Sequence, residues 1–400
     1  MLKSLKTKLA ILILLNVFVT TVNAQWVIQT SGTTSILTSV YFTNNEIGYA
    51  VGSNGTILHT TDGGNNWNPQ TNAYTEVLNA IYFTNNDTGY IVGQNGLILK
   101  TINNGNDWIP QISGTTFELT DVFFTDLNTG YAVGFFGVML KTIDGGNSWE
   151  TLFSGTTNLL GSIYFTDSLV GYAVGNSGTI LKTTNGGENW TAQTSGISAD
   201  LRSIHFTNSM TAYTCGSDGE LIKTIDGGLN WVAQSSTTTD WLGKLNFTNM
   251  NTGYVVGENG TILKTVNGGA NWILESSDTF EFLIDIHFPS NTVGYIVGYN
   301  GIILKNDNLL NVTEFESQFK NHLLYPNPMV SSSSLVISDD INIKNAVLKI
   351  YDSYGRTVRT ITDINEKKLI IERDNLPAGI FLFNLSMSDR IITKGKLIIK

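Results

Sequence analysis

The stretch Gly253–Trp272, GYVVGENGTILKTVNGGANW, recurs in variant form along most of the chain. Its closing tryptophan falls at Trp26, Trp67, Trp108, Trp149, Trp190, Trp231 and Trp272, each 41 residues after the last. The tyrosine near its other end keeps the same step through Tyr49, Tyr90, Tyr131, Tyr172, Tyr213, Tyr254 and Tyr295, and a leucine does so from Leu37 to Leu283. A fixed period of about 40–45 residues made of short strands and turns predicts a propeller blade of about four strands. One such sheet buries too little apolar surface to stand alone, so the copies must stack.

Within one copy, Leu78–Thr84 alternates, which predicts a strand with Leu78, Ala80, Tyr82 and Thr84 on one face and Asn79, Ile81 and Phe83 on the other. Gly89–Gly93 predicts a second strand. Asn95-Gly96 predicts a type I′ turn, because both central residues of that turn need positive φ. Leu97–Ile102 reads as a third strand, and Trp108 opens a fourth after a loop over Asn103–Asp107. Nothing in a copy has helical period.

Met1–Ala24 reads as a secretory signal: Lys3, Lys6 and Lys8, an apolar run over Leu9–Val19, and a small-residue site that predicts cleavage between Ala24 and Gln25. The run is short for a membrane span, so no transmembrane segment is expected in the mature chain. Cleavage there leaves Trp26-Val27-Ile28-Gln29, which carries only the fourth-strand part of a copy. The last copy, ending near Lys305, has no Trp of its own. We therefore expect Gln25–Ser31 to complete the blade begun by Leu283–Lys305, closing the ring and removing exposed sheet edges. The expected organisation is all-β: a seven-bladed propeller over 25–305, a linker over 306–321, and a small domain over 322–400.

Residues 25–305 hold 22 acidic and 8 basic side chains, a poor match to nucleic acid or anionic membrane. Six of the basic residues share one repeat position (Lys100, Lys141, Lys182, Lys223, Lys264 and Lys305), which spreads them around the ring. The single Cys215, at a strand position held by aliphatic residues elsewhere, reads as a small buried hydrophobe and permits no intrachain disulfide.

Thr60-x-Asp62-x-Gly64-x-x-Trp67 resembles the Asp-box, the BNR-type turn of sialidase-type and related propellers. Asp144 and Asp226 sit in full matches, and Asn103, Asn185 and Asn267 replace the Asp in three others. A short acceptor here can bind backbone N–H groups across the turn, so a structural role is expected. The Trp is expected to pack beneath the loop with its N–H still able to find a partner. The EF-hand spacing is absent, so no calcium is expected. The sialidase family needs an arginine triad, whereas this propeller holds Arg202 alone. His59, His205 and His287 fall on lysine or tyrosine repeat positions without metal-ligand spacing. No catalytic residue, metal or cofactor is assigned.

The run GYxVGxxGxILKTxDGGxxW, spread over residues 26–305, resembles the photosystem II stability/assembly factor propellers. That resemblance implies a platform that binds a partner protein, with basic residues on its binding face, and the lone Arg202 departs from this pattern. Tyr325–Pro328 (YPNP), Lys349–Val358 (KIYDSYGRTV), Leu376–Leu385 (LPAGIFLFNL) and Lys394–Lys400 (KGKLIIK) together resemble the C-terminal sorting domain of type IX secretion in Bacteroidota-type bacteria. This second resemblance implies a β-sandwich, recognition by the export machinery of the outer membrane, and release or attachment at the cell surface.

In such a ring the second turn of each blade and the connections between blades share one end. Aromatic residues that depart from the repeat gather there: Phe135, Phe136 and Tyr299 in turns, Tyr74, Phe117, Trp241 and Phe280 in connections. Arg202, Lys244, Asp121 and Asp285 can add polar contacts on the same rim. The expectation is a secreted, non-catalytic binding or scaffold module for a protein or glycan ligand. The alternative is a glycan-active hydrolase using two rim carboxylates among Glu76, Glu118, Asp121, Asp240, Glu281 and Asp285.

Overall fold

The computed structural model describes residues 26–307, 309, 322–325, 327–337, 343–352, 356–387 and 390–400. The signal, its Ala24–Gln25 cleavage site and most of the expected linker lie outside the described residues. The chain divides into two compact units, the first ending at Leu309.

The first unit is seven four-stranded antiparallel sheets. Blade 2 is representative, with strands Leu78–Phe83, Gly89–Gly93, Ile98–Thr101 and Ile109–Gln111 in that order. Blade 7 takes three strands from Leu283–Ser290, Val293–Gly298 and Ile303–Asn306, and its outer strand from Val27–Gln29. The register of closure is Val27 opposite Lys305, Ile28 opposite Leu304 and Gln29 opposite Ile303. Blade 7 continues past the expected boundary at 305: Asn306 pairs with Gly294, and Leu309 is buried beside Trp26.

The turn after the second strand is type I′, as Asn-Gly requires. Asn95 and Gly96 have φ of 58° and 69°, and the Leu97 N–H donates to the Gln94 carbonyl at 3.1 Å. The first strand departs from simple alternation. In every blade the pairing slips by one residue near its start, so that Leu78 faces Gly93 while Ala80 faces Val92, leaving Asn79 bulged. Leu78, Ala80 and Ile81 are then all buried, which a strict two-residue alternation cannot give.

The seams between blades are aromatic. Between blades 3 and 4, Lys141 lies 5.6 Å over the Tyr131 ring, Tyr131 stacks on Phe165 at 4.1 Å, and Phe165 meets Trp190 edge-on at 6.0 Å. The Tyr131 hydroxyl donates to the Gly186 carbonyl in the Asp-box loop of the next blade at 2.8 Å, and five other seams repeat this clamp. The seam between blades 6 and 7 differs. There Tyr254 meets Trp26 edge-on and faces Lys264, which pairs with Glu275 at 3.0 Å.

Inside the loops, the Asn66 N–H donates to Asp62 Oδ1 at 2.9 Å, and the Asp107 N–H donates to Asn103 Oδ1 at 3.0 Å. Asn185 and Asn267 accept the equivalent bonds, as do Asp144 and Asp226. The tryptophans correct an expectation. The indole N–H groups of Trp108 and Trp26 reach Gln70 and Glu275, but those of Trp67, Trp149, Trp190, Trp231 and Trp272 are buried without a hydrogen-bond partner. Aromatic packing beneath the loop decides their position. Cys215 is fully buried, and burial pushes its thiol pKa up.

The second unit has two antiparallel sheets. One joins His322–Tyr325, Ser332–Ile337 and Lys368–Glu372; the other orders Thr357–Ile364, Ala346–Tyr351, Gly379–Met387 and Arg390–Ile399. Both contribute to one core that includes Leu335, Ile371, Leu348, Phe383 and Leu397.

Candidate binding site at the mouth of the ring

The repeated bulge positions the site. The first strands line the ring axis and hydrogen-bond to one another: Ser39 Oγ donates to Asp285, Ser162 Oγ donates to Asp121, and the Leu245 N–H donates to Ser203 Oγ. The bulged residues Thr38, Asn79, Thr120, Gly161, Arg202, Gly243 and Ile284 all line one axial cavity of about 910 Å³. Bulges re-aim side chains in this way. Gly161 and Gly243, in the blades flanking that of Arg202, present no side chain there, which leaves room around the guanidinium.

Around this ring stand the second turns and connections. Phe135, Trp241, Phe280, Phe282, Glu258 and Tyr299 line the same cavity. The Arg202 guanidinium sits 5.4 Å over the Trp241 ring, and Phe282 packs on Tyr299 at 5.4 Å. Burial lowers the Arg202 pKa, opposed by the nearby carboxylates of Asp200 and Glu118. Glu118 also accepts from Asn79 Nδ2 at 2.9 Å.

The floor is charged. Lys244 lines the cavity yet is largely enclosed by the surrounding strands, within the electrostatic reach of Asp121 and Asp285. Burial opposes its charge, but Asp121 and Asp285, with a smaller contribution from Cys215, together raise its pKa. Asp285 accepts from Ser39 Oγ at 2.8 Å and from the Val40 N–H at 2.9 Å, while burial still raises its pKa. Asp121 is held in the same manner by Ser162 Oγ and the Ile163 N–H. His205 and His287, behind this floor, are lowered to about 4 by burial and by Lys244, and are therefore neutral at pH 7. Among the described residues, no cluster of three or more His, Cys, Asp or Glu could hold a metal ion.

Of the residues expected at the site, the structure brings Phe135, Trp241, Tyr299, Arg202, Asp121 and Asp285 to one cavity. Phe136 lies outside it, 64 % exposed. Tyr74 also lies outside it, half-buried against the core shared by blades 1 and 2. The Asp-box loops, with Asp62, Asn103, Asp144, Asn185, Asp226 and Asn267, follow the third strand and so sit at the opposite end of the ring. Sequence reasoning missed Phe282, Glu258 and the ring of bulged residues. The signal was present in the repeat column of Arg202, where Thr, Asn, Gly and Ile also occur.

The comparisons with known proteins divide along the same boundary. The model of the photosynthesis system II assembly factor YCF48 family matches residues 19–114, 110–191, 152–235 and 229–309. The chain belongs to the YCF48 family. A secretion system C-terminal sorting domain matches residues 323–400, which assigns the second unit to export toward the cell surface. No curated protein matches the chain. Among solved structures, one described as YCF48 bound to D1 peptide is 22 % identical with a TM-score of 0.62, covering 70 % of this chain and 94 % of its own. YCF48 from Cyanidioschyzon merolae is 20 % identical with a TM-score of 0.61, covering 72 % and 99 %. The GH74 enzyme of Niastella koreensis is 13 % identical with a TM-score of 0.61, covering 93 % and 74 %. At these identities the likeness is one of fold. Among the described residues of this YCF48-family chain, no helix is long and apolar enough to cross a membrane.

Proposed function

We propose that the propeller is a non-catalytic binding module, exported by its sorting domain, that seats a polypeptide segment of a partner protein at the axial mouth. The observation that carries this reading is the convergence of cations in the cavity. Six of the eight basic residues of the propeller belong to the lysine repeat position at the far end, and the other two, Arg202 and Lys244, both line the mouth. They stand among the carboxylates Glu118, Asp121, Glu258 and Asp285 and the rings of Phe135, Trp241 and Tyr299. Charges of both signs beside aromatic anchors suit the mixed side chains of a polypeptide. Arg202 covers one face of Trp241, the surface on which a sugar ring would stack. The best-placed carboxylates are engaged with hydroxyls and backbone N–H groups, which supports a binding role over hydrolysis. The family member described as bound to D1 peptide supports a peptide as the ligand class.

The test is to probe arrays of 12-residue peptides and of glycans with the labelled full chain and with Phe135→Ala/Trp241→Ala. Peptide spots that bind the wild type and are lost in the variant are the expected result. Binding confined to glycans, or unchanged in the variant, overturns the reading.

A further inference from the structure

Blade 3 departs from its six siblings in one respect. In four repeat columns near the mouth it carries phenylalanine where no other blade does: Phe117, Phe135, Phe136 and Phe153. Phe135 lines the axial cavity. The other three stand beyond it, 47 %, 64 % and 89 % exposed respectively. Phe117 and Phe136 form a pair, with ring centroids 5.0 Å apart at 49°.

This pair sits where the fold has a polar solution available. In blades 6 and 7 the same two positions are joined by hydrogen bonds, from Asn259 Nδ2 to Asp240 and from Asn300 Nδ2 to Glu281, both at 2.9 Å. The position of Phe136 is also left-handed in every blade, with φ of 56° here. The other six blades fill it with Asn54, Asn95, Ser177, Asp218, Asn259 and Asn300. Short polar residues tolerate that conformation, and a bulky ring is strained in it. Neither Phe117 nor Phe136 joins a buried core cluster. Strain and exposed apolar surface are thus kept together at one turn, offset only by the contact between the two rings and by no burial in the core, the pattern of a contact site rather than of a structural one.

We infer that Phe117 and Phe136 are a second anchor, receiving an apolar side chain of the same polypeptide segment whose neighbouring residues enter the mouth past Phe135. The inference rests on the proposed function and adds to it the direction in which the ligand runs, from the axis outward over blade 3, and the apolar character of one of its residues. Phe135 and Phe136 are consecutive, so the anchor is continuous with the cavity wall.

The test converts the pair to the blade 6 solution, Phe117→Asp/Phe136→Asn, in the full chain. The 12-residue peptides bound by the wild type are then compared by affinity and by the residue preferences of the binding set. Expected are at least a tenfold loss of affinity, disappearance of the preference at one apolar position, and a thermal midpoint raised by about 2 °C as the strain is relieved. A lowered midpoint assigns the pair to structure and overturns the inference. So do affinities within twofold of wild type, or an unchanged preference. Loss of all peptides in Phe135→Ala/Trp241→Ala alongside full binding in the pair variant retains the mouth and removes only the second anchor. A wild type that binds no peptide removes both.

Discussion

The two ends of the ring are built by the same repeat and use it differently. At the Asp-box end the columns hold: six lysines lie over six tyrosines, and six tyrosine hydroxyls reach a loop carbonyl of the next blade. At the mouth end the columns diverge. The bulge position holds Thr, Asn, Gly, Arg and Ile, and the first residue of the turn after the second strand holds Ser, Gln, Phe, Asn, Glu and Tyr. Each blade needs its neighbours in order to bury surface, so the end that carries the seams is constrained to repeat. The mouth can vary because its side chains face a cavity. The comparison teaches that regularity here marks stability, and departure from regularity marks contact with something else.

The strongest way to break the comparison is at a seam. Tyr131→Ala removes a fully buried ring and its inter-blade hydrogen bond, and should cost about 3–5 kcal/mol by denaturant unfolding while leaving peptide binding per folded molecule unchanged. A cost below about 1 kcal/mol would show that the clamps are decoration. At the mouth, Lys244→Met strands Asp121 and Asp285 without their cation. Because the cavity admits water, the expected cost at pH 7 is about 1–3 kcal/mol, below that of a sealed ion pair. That cost should shrink as pH falls toward 4, since Asp285, whose pKa burial already raises, takes up a proton more readily once Lys244 no longer opposes that shift; a pH-independent difference would refute the charged floor. The smallest effect is expected at the Asp-boxes. Hydrogen bonds from the residues at positions 148 and 230 hold Asp144 and Asp226 to about 2, so their stabilisation is present above the ordinary carboxylate range and lost as pH falls through about 2. Asp144→Asn/Asp226→Asn should leave the midpoint at pH 7 nearly unchanged and flatten the acid limb between pH 4 and 2, with a full acid limb counting against it.

The architecture was legible in the sequence because stacking forces a period. Trp, Tyr and Leu recurring without insertion gave the number of blades, and a Trp stranded near the N-terminus gave the closing strand. The bulge was not legible. Leu78–Thr84 alternates as cleanly as an unbroken strand, and a polar Asn79 looks the same whether it faces a solvated side or is pushed out of the ladder. The mouth was therefore found through its aromatics, although Tyr74 and Phe136 stand outside the cavity, while the ring of bulged residues around Arg202 went unseen. The unsatisfied indoles escaped for a related reason: sequence records the donor but not the aromatic walls that shut out its acceptors.

The closing strand has a mechanical consequence. Val27–Gln29 runs antiparallel to Ile303–Asn306, and Val27 faces Lys305, so the start of one strand lies beside the end of the other. A pull applied between the two ends of the propeller first works against the buried contact of Trp26 with Leu309 and then loads the strand pairs singly, Val27 with Lys305, Ile28 with Leu304, and Gln29 with Ile303. Beyond Trp26, force opens this junction as a zipper and not as a shear lap, so a ring held by packed seams all round has its one separable strand pairing where its two ends meet.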